Sequence, residues 1–447
     1  MADSVRLFEV REGAKRQDDL KYVVKGVVGG AWLDFPSDDI TVTTIGGGIT
    51  NLLFKLDGPK EENPVLVRLY GKDTDILIDR ERDNDLFEEL ATMGYAPPFH
   101  GCFGNGRVEG FLSARPLEPP EMGQCSPIDL VSLIAREMHR LHGLSVTKAG
   151  PPGRAEIGQI LSKWLQLAKG LTFEDDAKAS AVAALDLDWI IEEAEWVGQQ
   201  LWPADGEVTG ETSGNGHCLA SAKDVKHGSN AAETETQEET QNGATAAGDN
   251  GGRSILETNG KNGVEERTKK AKRFMSEVVL CHNDLLSGNI LYADGWDRVQ
   301  VIDFEYSGYN PRGFDIANHF CEHAGFDSNF GKSYPTHDTQ RAFLKAYIRA
   351  ASSTTTTDAS QADANPGRGA AESSDGGTSG SSPCPDEEAL VEALRIEADL
   401  WTLPSHLMWA AWAVVQARYS PIDFDFVDYA KLRLAGYRLH KEAFFGK

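Results

Sequence analysis

No two cysteines of this chain form a Cys-x-x-Cys pair; the six, Cys102, Cys125, Cys218, Cys281, Cys321 and Cys384, stand apart. That spacing suggests neither a disulfide framework nor a zinc site. No apolar run is long enough to span a bilayer. The opening residues Met1-Ala2-Asp3-Ser4-Val5-Arg6 lack the apolar core of a signal peptide. The expectation is therefore a soluble cytoplasmic protein with no stable membrane insertion. Basic residues are also scarce, 44 Lys and Arg against 69 Asp and Glu, for a net charge of −25. Nucleic acid, whose phosphates demand clustered cations, is not an expected partner. The acidic excess favours a small cationic substrate, and much of it serves to solvate polar segments.

Large apolar residues are nearly absent from two stretches, residues 204–270 and 352–387, which are rich in Gly, Ser, Thr and acidic residues. Neither can bury enough apolar surface to offset its ordering entropy, so both are expected to be disordered insertions. The first 115 residues read as β-rich. Ile40–Ile45, Leu52–Leu56 and Val65–Tyr70 are β-branched or aliphatic runs broken by Gly and Pro. A helix is expected from Asp79 to Met93, closed by Gly94. Beyond, Ser126-Pro127-Ile128-Asp129 reads as a helix start with Ser126 as the cap, followed by Leu130, Ile134, Met138 and Leu141 at helical spacing. Further helices are expected at Leu185–Leu201, Arg341–Ala350, Glu388–Trp401 and Leu407–Arg418, with a β-hairpin at Asn289–Tyr292 and Val299–Ile302. The expected class is α+β: a small β-rich lobe over residues 1–115 and a larger, mostly helical lobe over 116–447.

The chemistry-bearing residues cluster in one stretch. Asp284 and Asn289 lie five residues apart, and Asp303 follows fourteen later, after the apolar run Val299–Ile302. Phosphoryl transfer needs groups of this kind at these separations: an aspartate to orient a hydroxyl, and an Asn and an Asp to hold magnesium through hard oxygens. The hairpin would bring Asn289 and Asp303 side by side. Taken singly, Asp284 also reads as a capping aspartate, Asn289 as a cap and Asp303 as a turn residue. His282 reads as a loop-shaping hydrogen-bonder. Asp315, which follows Phe314, reads as a structural carboxylate that ties down backbone amides.

Gly46, Gly47 and Gly48, followed by Ile49, Thr50 and Asn51, lie between two strands, where glycine amides can cradle phosphates or simply turn the chain. No Gly-Lys-Ser/Thr follows, so this is not a Walker A loop. Arg68 interrupts an apolar strand, with Val65, Val67 and Leu69 on one face and Leu66, Arg68 and Tyr70 on the other. It reads either as a phosphate-holding cation or as an exposed edge-strand arginine. Trp409 and Trp412 share a helix face. With Tyr306, Glu322, Tyr419, Phe424 and Tyr429 they read as core, or as an ammonium pocket worth roughly 0.5–2 kcal/mol per ring.

These residues resemble the choline and ethanolamine kinases, over most of the chain from about Thr41 to Tyr437. The most specific piece runs from His282 to Glu322 and includes Ile302-Asp303-Phe304-Glu305-Tyr306 and Phe314-Asp315-Ile316-Ala317-Asn318-His319-Phe320-Cys321-Glu322. Generic protein kinases would show Asp-Phe-Gly where this chain has Asp303-Phe304-Glu305. The resemblance implies a protein-kinase-like two-lobed fold, ATP and Mg2+ as cofactors, and a small amino alcohol as acceptor. It places the base on Asp284, metal ligands on Asn289 and Asp303, and the phosphate-contacting cation on Arg68. It puts the nucleotide's base near Phe111 and Leu112, and the ammonium pocket on Tyr306, Glu322, Trp409, Trp412, Phe424 and Tyr429.

Val67–Asp75, Ile78–Glu81, His319–Gly325 and Tyr419–Phe426 look more like ethanolamine kinases than choline kinases. The resemblance thus implies ethanolamine phosphorylation in phosphatidylethanolamine synthesis, with choline kinase, a catalytically weak binding module and an aminoglycoside-type phosphotransferase as competing readings. A homodimer is left open. One departure stands out. The family's usual glutamate partner for the Arg68 cation is replaced by Asp83, with Glu81 close by.

Overall fold

Alternating β-branched and aliphatic residues build the first sheet of this computed structural model, which describes residues 5–46, 51–201, 251–353 and 385–446. Strands β1 (Thr41–Ile45), β2 (Asn51–Asp57), β3 (Val65–Tyr70), β4 (Phe99–Phe103) and β5 (Gly106–Gly110) form an antiparallel sheet in the order β1-β2-β3-β5-β4. The alternation along β3 holds: Val65, Val67 and Leu69 are buried in one apolar cluster, while Arg68 faces the other side. Since β3 is the central strand, the edge-strand reading of Arg68 is excluded.

That apolar cluster is completed by an element absent from the sequence expectations. A helix, Arg16–Val28, buries Leu20, Val23 and Val24 against the sheet. Their i, i+3, i+4 spacing is the signature of a helix with one apolar face. Gly29, at φ 71, ends it in a conformation that glycine adopts without strain.

The helix Arg80–Thr92, expected from the sequence over Asp79–Met93, follows strand β3, and Asp79 caps it by accepting from the Arg82 amide. The next helix, Leu130–His142, corrects an expectation. Its cap is Asp129, whose side chain accepts from the Ser132 amide, not Ser126. The residues Ser126–Ile128 lie outside the helix, in a turn where the Leu130 amide donates to the Ile128 carbonyl at 3.0 Å. The helices Ile157–Lys169, Leu187–Leu201, Arg312–Glu322, His337–Ser353, Pro385–Leu400, Thr402–Tyr419 and Phe426–Phe445 make up the rest of the larger core. Thr402–Tyr419 is buried along nearly its whole length, which accounts for its lack of a polar face.

Short strands carry the chemistry-bearing stretch. β6 (Arg115–Pro116) pairs with β8 (Ile290–Tyr292), and β8 pairs with β9 (Gln300–Val301); separately, β7 (Val278–Cys281) pairs with β10 (Gly308–Pro311). The β8–β9 pair is the expected hairpin. Its register sets Ile290 opposite Val301, and the Ile302 amide donates to the Asn289 carbonyl at 3.0 Å. Asn289 and Asp303 therefore flank the same end of the hairpin. Phe304 anchors that end by packing on Phe87, Tyr95 and His282 at ring separations of 5.4–6.2 Å.

The chain divides into two units, Met1–Trp202 with Arg267–Lys447, and Pro203–Glu266. Residues 204–250 and 354–384, the bulk of the two expected insertions, lie outside the described residues. The expected limits need correction at both C-terminal ends. A helix, Gly251–Ser276, occupies the end of the first stretch and closes on the apolar residues Ala271, Phe274 and Met275, of which Ala271 and Met275 are buried. Pro385, at the first position of Pro385–Leu400, opens a helix inside the second stretch. Among the described residues, no helix is long and apolar enough to cross a membrane.

Candidate active site

One cavity of about 520 Å³ gathers most of the sequence candidates. Its wall includes Gly46, Arg68, Phe111 and Leu112 from the sheet and the chain that leaves it. Asp284, Asn289 and Asp303 come from the hairpin region, and Tyr306, Glu322, Trp409, Trp412 and Tyr429 from the helical part. Gly47, Gly48 and Thr50 lie outside the described residues. Asn51 is described and does not itself line the cavity, but its Nδ2 donates at 3.0 Å to Glu305, which does. Phe424 does not line the cavity. It packs behind Tyr429 at a ring distance of 5.9 Å, and Phe326 takes a place on the wall.

The loop that carries Asp284 is held by Asp315. This buried carboxylate accepts the amides of His282 at 2.8 Å and Asn283 at 2.7 Å, and pairs with His142 at 2.9 Å. It thus has the structural role expected for it. Burial opposes its charge, but the His142 hydrogen bond and the amides hold its pKa below the ordinary aspartate value. His282 contacts the Ile302 carbonyl through Nε2 at 3.0 Å and accepts the Asp284 amide on Nδ1, which fixes one neutral tautomer. Asn283 and Asp303 hold positive φ of 66° and 68°. Asn and Asp tolerate that region better than other side chains.

The Asn289 amide donates Nδ2 to the Asp284 carbonyl at 2.8 Å and to its carboxylate at 3.3 Å. This orientation leaves the Asn289 Oδ1 as an acceptor. Asp303 gives one oxygen to Arg68 Nη1 at 2.9 Å. Asn289 Oδ1 and the second Asp303 oxygen are hard donors, the type a divalent ion selects. The charge of the site fits such an ion as well. Burial raises the Asp284 pKa well above the ordinary value, and Glu322, Asp303 and Glu305 raise it further. These carboxylates repel one another in a water-poor space, and a bound cation would relieve them.

Arg68 is held by a network that the sequence did not reveal. Its Nε donates to Glu109 at 3.0 Å, and Glu109 also accepts from Arg107 at 2.6 Å. Asp83 pairs instead with Arg107 at 2.9 Å, and Glu81 is exposed. Neither replaces the expected partner of Arg68; Glu109 does. The register explains this. Arg68 stands opposite Arg107 across β3 and β5, and two like charges in that position need a carboxylate between them. Burial opposes the charge on Arg68, yet Asp303 and Glu109 raise its pKa further, so it stays cationic.

On the helical side, Trp412 Nε1 donates to the Tyr306 hydroxyl at 2.8 Å, and Trp409 Nε1 to Asn318 Oδ1 at 2.7 Å. The rings meet edge to face, Tyr306 with Trp409 at 5.4 Å and Trp409 with Trp412 at 5.5 Å. Trp164 backs both Tyr306 and Trp409. Glu322 is paired with the buried Arg433 at 3.0 Å. Arg433 and Trp164 were missed in the sequence. For Arg433 a signal was present: it follows Tyr429 by four residues and so shares its helix face.

Comparison with known proteins gives a coherent picture. The family model described as choline/ethanolamine kinase matches residues 42–209 and 228–438. The chain is 30% identical over 419 residues to a probable ethanolamine kinase of Arabidopsis thaliana, covering 93% of this chain and 83% of that protein. It is 28% identical to human ethanolamine kinase 1, over 89% of this chain and 67% of that protein. Among solved structures, it is similar to an ethanolamine kinase of Plasmodium vivax, with a TM-score of 0.64, 22% identity and coverage of 100% and 96% of the two chains. It is also similar to a choline kinase of Cryptosporidium parvum, with a TM-score of 0.60, 19% identity and 95% coverage of each chain. Both likenesses concern the fold.

Proposed function

Because the chain belongs to the choline/ethanolamine kinase family, we propose that it transfers the γ-phosphoryl group of ATP to the hydroxyl of ethanolamine, yielding phosphoethanolamine and ADP. One observation carries this reading. A single cavity presents a buried arginine at the sheet, rings with a carboxylate at the helices, and Asp284 on the same wall. Residues 1–115 hold the nucleotide and residues 116–447 the alcohol.

Arg68 pairs with the phosphates, and Phe111 and Leu112 flank the base. Asp284 accepts the hydrogen bond of the substrate hydroxyl and orients its oxygen in line with the γ-phosphorus. As the new O–P bond forms, the bond from phosphorus to the ADP oxygen breaks, and the hydroxyl proton passes to Asp284. A carboxylate whose burial disfavours charge is suited to take that proton. Magnesium, when bound by Asn289 and Asp303, supplies positive charge to the phosphates. The substrate's ammonium lies against Trp409, Trp412, Tyr306 and Tyr429, with Glu322 as counter-charge.

Choline is the second reading, favoured by the number of rings on that wall, since its methyl groups need faces and charge but no acceptor. The test is ADP release with magnesium-ATP and a panel of amino alcohols. A higher kcat/KM for ethanolamine than for choline is expected. The reverse order would establish the second reading, and turnover of neither would refute both.

A further inference from the structure

Arg433 is a buried cation placed behind a pocket meant for a cation. It lies on Phe426–Phe445 with its side chain 1% exposed and does not itself reach the cavity wall. Its Nη1 donates to Glu322 Oε1 at 3.0 Å and to the Tyr429 hydroxyl at 3.3 Å, both on that wall. Its Nη2 donates to Ser405 Oγ at 2.7 Å. From there the chain of hydrogen bonds continues. Ser405 donates to Asn318 Oδ1 at 2.7 Å, the same oxygen that accepts Trp409 Nε1, and Asn318 Nδ2 donates to the Asn283 carbonyl at 3.0 Å. Asn283 is the residue before Asp284. One guanidinium therefore holds an acidic wall residue, a phenol and an indole in register with the loop that carries the base.

Charge alone does not require this arrangement. A quaternary ammonium is satisfied by ring faces and net negative charge, which an unpaired Glu322 would supply better. A primary ammonium has three N–H donors and needs acceptors at fixed directions. By occupying Glu322 Oε1, Arg433 locks the carboxylate and leaves Oε2 as the acceptor for the cavity. Its planar fork sets Nη1 on Glu322 and Tyr429 while Nη2 is anchored on Ser405, a fixed geometry that a lysine cannot copy.

We infer that Arg433 is a positioning residue that selects an N–H-bearing ammonium over a quaternary one by fixing Glu322 and Tyr429. This inference rests on the proposed amino-alcohol kinase activity and sharpens it. The test measures kcat and KM for ethanolamine and for choline in wild type, Arg433→Lys and Ser405→Ala. Arg433→Lys is expected to lower kcat/KM for ethanolamine about tenfold or more, mainly through KM, and to change that for choline less than about threefold. Ser405→Ala, which keeps the Arg433–Glu322 pair but removes one anchor, is expected to shift the ratio in the same direction by a smaller factor. It supplies the answer if Arg433→Lys does not fold. Equal loss for both alcohols, or no change in either variant, overturns the inference while leaving the kinase reading intact. A wild type that phosphorylates neither alcohol, or prefers choline, instead overturns the reading on which it rests.

Discussion

Two buried arginines stand in opposite relation to this cavity. Arg68 itself lines the cavity, with Glu109 behind it and Asp303 at its side. Arg433 hides behind the wall and leaves Glu322 and Tyr429 to line it. Both are buried and both have carboxylate partners, so burial and pairing do not distinguish them. What differs is which member of the pair is presented. The sheet side offers a cation suited to phosphates, and the helical side offers an anion and ring faces suited to an ammonium. The same ion-pair chemistry, turned around, gives one cavity two polarities.

The comparison predicts separable losses. The largest should come from the group common to both ends. Asp284→Asn is expected to lower kcat about a thousandfold, in line with the removal of a positioned acid–base group, as read by ADP release. Its effect on stability should have the opposite sign. Burial, with the neighbouring carboxylates, raises the Asp284 pKa above the value of about 3.9 found in unfolded chains. The folded state therefore binds this proton more tightly, and stability falls as pH rises from that value through the folded pKa. At neutral pH, removing the charge should leave Tm equal to or above that of wild type.

Breaking the sheet side comes next. Arg68→Met strands Glu109 and Asp303, a loss of about 3–5 kcal/mol for a broken buried pair, measurable by chemical denaturation. Arg68→Lys should recover much of that stability yet still raise KM for ATP, with KM for the alcohol little changed. If Arg68→Lys instead raised both KM values alike, the two ends would not be separate. On the helical side, Trp412→Leu should raise KM for the amino alcohol about two- to thirtyfold, the equivalent of one lost cation–ring contact, and leave KM for ATP unchanged.

The smallest effect is a displacement in pH. Protonation of Asp284 removes the acceptor, so kcat/KM should fall on the acid side at a pH above the usual carboxylate range. Glu322 is, after burial, the largest contributor to that rise. Glu322→Gln should therefore move the acid limb to lower pH even as it weakens alcohol binding. An unmoved limb would show that the two carboxylates do not sense each other.

What the sequence revealed followed from short range. The spacing of Asp284, Asn289 and Asp303 was legible because a hairpin of a dozen residues joins them, and the face of Arg68 because strand alternation is strictly local. The partner of Arg68 was not legible. Glu109 reaches it across an antiparallel pairing 41 residues apart, whose register no local pattern specifies. The cap of Leu130–His142 was misplaced because Ser126-Pro127 and Asp129 both carry start signals, and only the backbone decides between them. The helix Arg16–Val28 was overlooked beneath a β-rich composition, although Leu20, Val23 and Val24 have its period. Phe424 is expected on the cavity wall but packs behind Tyr429, since proximity along the chain does not say which ring faces inward.

The bridge between Arg68 and Asp303, 2.9 Å long, sets a condition of admission. A polyanion that claims Arg68 for itself would take away the hydrogen-bonded counter-charge of Asp303, whose side chain is only 22% exposed. A polyanion that arrives with its own counter-cation exchanges partners with both residues at once, and no charge is stranded. If this cavity takes a nucleotide as proposed, the bridge would favour one that arrives neutralised over a bare one, without any contact to the base.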